Sequence, residues 1–219
     1  MSKYILSLFL CINFLITYSQ TETLSINIEK SNVKWYGDEI TGKQHYGSLK
    51  FKKGEIILST TGKYSDKIIS GNLTVDMTSL NVEDLSGRSK SNLQGHLKSD
   101  DFFSVDRYKN AFLKILKGNE PINGIQTLQG DLTIKGKTHP VTFTMELNEK
   151  KAKSNLIFDR AKYDVKFRSE TFFQNLGDKL IYDDIKLEVS LEFNWCLQQV
   201  LNINFCTIFA IDGKFEKKY

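Results

Sequence analysis

Two prolines in 219 residues leave no proline-rich linker, stalk or low-complexity spacer in the chain. Cysteine is nearly as scarce. Cys11 lies near the N-terminus, Cys196 and Cys206 lie near the C-terminus, and the body between has none. That excludes a disulfide framework and leaves core burial to hold the domain together. No Gly-x-Gly-x-x-Gly or phosphate loop occurs, which argues against a nucleotide, and no Gly-x-Ser-x-Gly elbow offers a hydrolase nucleophile. The three histidines, His45, His96 and His139, sit in separate segments without metal-ligand spacing, so neither a metal nor a cofactor is expected. Their residue type and surroundings suit loop fixing. Thirty lysines and arginines and 26 acids are interspersed rather than blocked, giving a net charge of +4 and no basic patch for nucleic acid or a membrane surface.

What the chain does have begins with an address label. Lys3 supplies a positive start, Tyr4 to Ile16 form an apolar run broken only by Ser7 and Asn13, and Thr17-Tyr18-Ser19 offers small residues at the two positions a signal peptidase reads. Residues 1–19 therefore read as a signal peptide cleaved after Ser19, which places the mature protein in the periplasm or outside the cell. Cleavage removes Lys3 and brings the net charge to +3. The rival reading, lipidation at Cys11, is disfavoured because Leu10 stands where a small residue is required. The apolar run is too short, and too closely followed by polar chain, for a stable membrane span.

From residue 20 to 194 the dominant signal is two-residue alternation. Val33 and Trp35 open it, followed by Leu49 and Phe51, a Lys53-Gly54 turn, and Glu55 to Ser59. Ile69, Gly71, Leu73, Val75 and Met77 share a face. Leu113 and Ile115 come next, then Leu128, Gly130, Leu132 and Ile134, the Lys135-Gly136-Lys137 turn, and Val141, Phe143, Met145 and Leu147. Leu156 and Phe158 lead to Tyr163, Val165 and Phe167. Ile185, Leu187, Val189, Leu191 and Phe193 close the series. One apolar and one wet face is the pattern of antiparallel strands around a single interior. Roughly eight such strands call for a closed barrel or a sandwich, and Gly71 and Gly130 on the apolar face favour the tight curvature of a barrel.

Two segments break the period. Val82 to Lys98 reads as one helical insertion, capped by Asn81 with Glu83 and Asp84 in its first turn. Ser169 to Lys179 reads as a loop or single helical turn near the barrel rim. The acidic pairs Asp100-Asp101 and Asp183-Asp184 fall at element boundaries, where carboxylates cap helices or solvate turns. Residues 195–219 fit neither period and are taken as a C-terminal extension whose fold, and whose Cys196–Cys206 pairing, stay open.

Several motifs together resemble the YceI family of periplasmic lipid-binding proteins. They are Ser31-Asn32-Val33-Lys34-Trp35, Thr41 to Gly47, Asp76-Met77-Thr78-Ser79-Leu80, Leu93 to Phe103 with Val105 to Tyr108, Gly130 to Gly136 with Thr138 to Val141, Arg160 to Phe167, and Phe172 to Asp178. The resemblance covers about residues 25–194 and implies an all-β, extended, antiparallel eight-stranded barrel, lipocalin-like, with a helix. It implies binding of a polyisoprenoid or fatty-acid-like lipid in the lumen, not catalysis.

On this reading Val75, Met77, Leu132, Ile134, Phe143, Met145, Val165, Phe167, Leu187 and Val189 face inward. They line a tunnel if the lumen is open and form core if it is filled. Phe102, Phe103, Tyr108, Phe172 and Phe173 either flank a portal or plug the barrel end. The expected partner is a hydrophobic small molecule that the protein sequesters or transports, and a homodimer is left open. Two alternatives remain: a filled barrel acting as a stress-related or interaction protein through its outer surface, and, more weakly, an enzyme with a rim site.

Overall fold

The computed structural model describes residues 21–60 and 66–194. Nine strands and one helix make up these residues: β1 (Thr21–Ser25), β2 (Asn32–Glu39), β3 (Gln44–Ser59), β4 (Ile68–Val82), α1 (Gly87–Lys98), β5 (Asn110–Gly118), β6 (Ile125–Ile134), β7 (Lys137–Asn148), β8 (Lys151–Asp159) and β9 (Ile181–Glu192). Every pairing is antiparallel. The order runs β2-β9-β8-β7-β6-β5-β4, and β3 pairs with both β4 and β2, so the sheet closes on itself. β1 pairs with the second half of β3, Glu55 to Ser59, while β2 pairs with the first half. β1 and β2 are thus two pieces of one stave. The result is the expected closed eight-stave barrel.

Closure requires sharp curvature, and glycines supply it. Gly71 pairs with Ile115, which pairs in turn with Gly130. A Cβ on Gly130 would come within 2.5 Å of the Lys114 carbonyl oxygen, and one on Gly71 within 2.9 Å of that of Glu55. Only the absence of a side chain allows backbones to approach this closely. Around this point the barrel is filled. Ile56, Ile68, Ile115 and Leu128 are completely or almost completely buried, and buried Gln126 seals the plug by accepting from the Ile68 amide (2.9 Å) and donating to its carbonyl (2.7 Å).

Four expectations are corrected. Lys53-Gly54 is not a turn: β3 runs unbroken from Gln44 to Ser59, and Gly54 makes room for the side chains of Leu73 and Ile26. The stretch holding Tyr163, Val165 and Phe167 is not a strand, because β8 ends at Asp159 and a short 3-10 turn, Arg160–Tyr163, follows. At the start of β4 the fully buried residue is Ile68 rather than Ile69, where the β3–β4 register shifts between Ile57 and Leu58. The helix begins at Gly87, not Val82. The β3–β4 ladder continues through Gly47 to Val82, so Asn81 is a strand residue, and Ser86 precedes the helix. Glu83 accepts from Ser48 Oγ and Asp84 from the Tyr46 amide, leaving neither at a helix terminus. Cys11, Cys196, Cys206, the expected signal peptide and the extension lie outside the described residues.

Gly47 is the tightest of these positions, since a Cβ there would overlap the Asn81 carbonyl oxygen and press on the Trp35 ring. Gly47→Ala is expected to cost about 3 kcal/mol. In a domain of this size that lowers the thermal midpoint by roughly 6–12 °C, as scanning calorimetry would read.

Candidate functional site: an apolar lumen with a polar mouth

The half of the barrel away from the plug is hollow. A cavity of about 400 Å³ lies among the first half of β3, the second half of β6, Leu73 to Leu80 of β4, Ile181 to Val189 of β9, and the inward faces of β2, β5, β7 and β8. Its wall is overwhelmingly apolar, and its size falls in the range of small-molecule sites, roughly 300–1,000 Å³. α1 lies over one side of the open end. Leu97 buries beneath it, the Val82 amide donates to Gln94 Oε1 (3.2 Å), and Lys98 Nζ donates to the Thr78 carbonyl (2.8 Å), so the helix is tied to β4 at two points.

Polar groups gather at the mouth. His45 Nδ1 lies 2.6 Å from Asp84 Oδ2, and its other nitrogen lies 3.8 Å from Glu39 Oε1. Burial pushes the Asp84 carboxyl up, but hydrogen bonds from His45 and from the Tyr46 amide outweigh it and hold the group below its ordinary value. The Arg168 guanidinium stacks over Phe167 at 5.1 Å and also borders the cavity. A nucleophile–base–acid arrangement would need a hydroxyl or thiol on the far side of His45. Glu39 stands there instead.

One buried cation organises the segment that frames this mouth. Arg160 is wholly buried and donates to four carbonyls, those of Val165, Phe167, Ile181 and Tyr182, at 2.9–3.1 Å. Its charge is met by Asp183 at 3.2 Å. Asp183 also accepts from Ser169 Oγ and Thr171 Oγ1. It therefore anchors the loop from inside β9 rather than solvating a turn. Burial draws the Arg160 pKa down, and Asp183 and then Asp159 oppose that shift. With four carbonyls and a carboxylate around the guanidinium, the charge is paired and hydrogen-bonded, the condition under which a buried ion pair is tolerated.

The sequence-derived residues divide clearly. Val75, Met77, Leu132, Ile134, Phe143, Met145, Leu187 and Val189 lie in the cavity wall, as do Phe102, Phe103 and Phe167 at its upper end. Four are corrected. Val165 is fully buried but packs under the Arg160 loop, away from the cavity. Tyr108 packs against Gly136 of the β6–β7 turn. Phe172 and Phe173 point to solvent, the former beneath Lys166 Nζ at 5.1 Å. All four fall on irregular chain, where alternation says nothing about direction. The wall also holds residues beyond the sequence-derived set: Trp35, Phe51, Leu156 and Phe158 on strands, and Leu93 and His96 on α1. The strand residues were within reach of the alternation already described; the helical ones were not.

Residues 24–193 match the YceI-like domain. The chain belongs to the YceI-like family. Two UPF0312 proteins from strains of Staphylococcus epidermidis are 28% identical over 174 residues, which is 69% of this chain and 94% of each relative. Burkholderia cenocepacia BcnA is similar in structure, with a TM-score of 0.57 at 17% identity over 76% of this chain and 98% of that one. A polyisoprenoid-binding domain from Saccharophagus degradans, implicated in plant cell wall breakdown, follows with a TM-score of 0.52 at 14% identity over 79% of this chain and 98% of that one. At such identities these structures share the YceI-like fold.

Two measurements probe the mouth. Arg160→Met leaves Asp183 as an unpaired buried charge and should cost about 3–5 kcal/mol in denaturant unfolding. The depressed Asp84 pKa means its contribution to stability is present above the ordinary value of 3.8 and lost as pH falls below it. Asp84→Asn should therefore flatten the loss of thermal midpoint below about pH 4 relative to the unaltered protein.

Proposed function

We propose that this YceI-like protein binds and carries a hydrophobic, chain-like molecule, of the polyisoprenoid or fatty-acid class, outside the cytoplasm. The observation that carries this reading is the hollow half-barrel: an apolar space of about 400 Å³, open at one end, with polar groups confined largely to that end. Such a shape suits a molecule with a long apolar body. Each buried methylene contributes about 0.8 kcal/mol, so ten supply on the order of 8 kcal/mol before the costs of association are deducted. Desolvation alone can thus drive binding, with no need for a charged anchor deep inside. The polyisoprenoid-binding domain of Saccharophagus degradans, built on the same fold, is consistent with a chain-like ligand. The apolar run of Tyr4 to Ile16 after Lys3 supports export. A filled barrel working only through its outer face is less favoured, since the packed core stops at Ile56, Ile115 and Leu128.

Native mass spectrometry of the protein purified from its own host tests both parts of the reading at once. The expected protein mass begins at Gln20, and an additional mass of several hundred daltons departs on denaturation. Ala111 borders the lumen, and Ala111→Phe should fill part of it. That variant is expected to weaken saturable binding of a fluorescent fatty acid at least about tenfold while leaving the thermal midpoint intact. A flat fluorescence response from the unaltered protein would rule out the carrier reading.

A further inference from the structure

Exposed apolar side chains gather around the open end of the barrel. Ile40, Phe172, Phe173 and Tyr182 are 46%, 42%, 49% and 42% exposed. Glu39, Arg168 and Ile181 border the cavity, so Ile40 and Tyr182 each sit one residue along the chain from its mouth. The Ile40 amide donates to the Leu180 carbonyl (3.1 Å) and the Ile181 amide to that of Arg168 (3.0 Å). These bonds join the β2–β3 hairpin, the loop after Arg160 and the start of β9 into one rim. The Phe172 and Phe173 amides both donate to the Ser169 carbonyl, and Ser169 Oγ donates in turn to Asp183. Two successive aromatic rings are thus presented to solvent from a fixed turn.

Two features fit this rim to a lipid interface. First, its irregular backbone is already hydrogen-bonded where it frames the mouth. Arg160 takes the carbonyls of Val165, Phe167, Ile181 and Tyr182, and unmet backbone groups are what keep irregular chain out of an apolar phase. Second, its cations lie along its rings. Lys166 Nζ is 5.1 Å from the centre of the Phe172 ring, and the Arg168 guanidinium is 5.1 Å from that of Phe167. Side chains so placed rest their stems on apolar surface while their charged heads stay in water. From residue 164 to 179 the charges balance, Lys166, Arg168 and Lys179 against Asp164, Glu170 and Asp178. Attraction to anionic head groups is therefore not the driving force; entry of aromatic rings into the interface is.

We propose that this rim docks on a lipid bilayer. Ile40, Phe172, Phe173 and Tyr182 enter the interface, Lys166 and Arg168 stay at the level of the head groups, and the lumen opens onto the membrane. This rests on the carrier reading and adds where the cargo is exchanged. A chain drawn into the lumen by leaving water has the same reason not to cross water. An apolar rim continuous with an apolar lumen gives it a dry route to the phase in which it dissolves. Docking by ring insertion needs no basic patch, in keeping with the interspersed charge of the chain.

The test follows transfer of a fluorescent fatty acid from the loaded protein to phosphatidylcholine vesicles. Transfer by contact gives a rate that rises with vesicle concentration, whereas release into water gives a rate that does not. The unaltered protein is expected to show the rise, and to float with these vesicles equally well at low and at high salt. Phe172→Ser combined with Phe173→Ser should lower both the rise and the bound fraction about tenfold. Its thermal midpoint and its affinity for the free fatty acid should stay unchanged, since neither ring lies in the cavity wall. Ile122→Ser, 74% exposed at the plugged end, should alter none of these readings. A transfer rate independent of vesicle concentration, or one that the double variant leaves as it was, would overturn the inference while leaving the carrier reading in place. So would flotation seen only with anionic lipid and lost in salt. If the fatty acid does not bind the protein at all, the carrier reading fails and takes this inference with it.

Discussion

The ladder between β3 and β4 is the constraint on which everything else rests. These are the two longest strands, and their pairing joins the ends of what would otherwise be an open sheet. An open sheet would expose two unpaired edges and could not enclose a dry space; closure removes both edges. The ladder is sustained only because Gly47 and Gly71 let backbones approach where any side chain would intrude. It also carries the chain beyond the barrel wall to Val82, which sets where α1 begins and so what covers the mouth.

The two ends of the barrel are built on different principles. The end near Ile115 is dense aliphatic packing closed by a side-chain amide, the ordinary interior of a small β domain. The other is framed by irregular backbone, and irregular backbone needs partners for its carbonyls. Arg160 supplies four at once while Asp183 neutralises it, so a loop without strand pairing is nevertheless fixed. Phe102 and Phe167 lie against this cluster, Phe102 with its ring 5.5 Å from the guanidinium. Polar organisation outside the lumen thus positions the apolar surface inside it.

Alternation made most of the strands, and through them most of the wall, readable from the sequence, because a two-residue period fixes side-chain direction wherever the ladder is regular. It failed where the ladder is not. Val165 follows an alternating run and is buried, yet its burial comes from the Arg160 turn. Phe172 and Phe173 are paired aromatics, which made them candidates for a portal, but their direction depends on a turn held by Ser169 and Asp183, distant in the period and local only in space. The start of α1 lies later than the sequence suggests because Glu83 and Asp84 satisfy the usual first-turn preference while in fact serving β3 through Ser48, His45 and Tyr46.

The dense packing at the Ile115 end has a consequence for how such a barrel can diverge. Because the plug at Ile56, Ile68, Ile115 and Leu128 stands outside the cavity wall, a volume-conserving substitution such as Met77→Leu changes the shape on offer while the plug keeps its packing. Selection can then resculpt the chamber at little risk to folding, and one scaffold can acquire many fits.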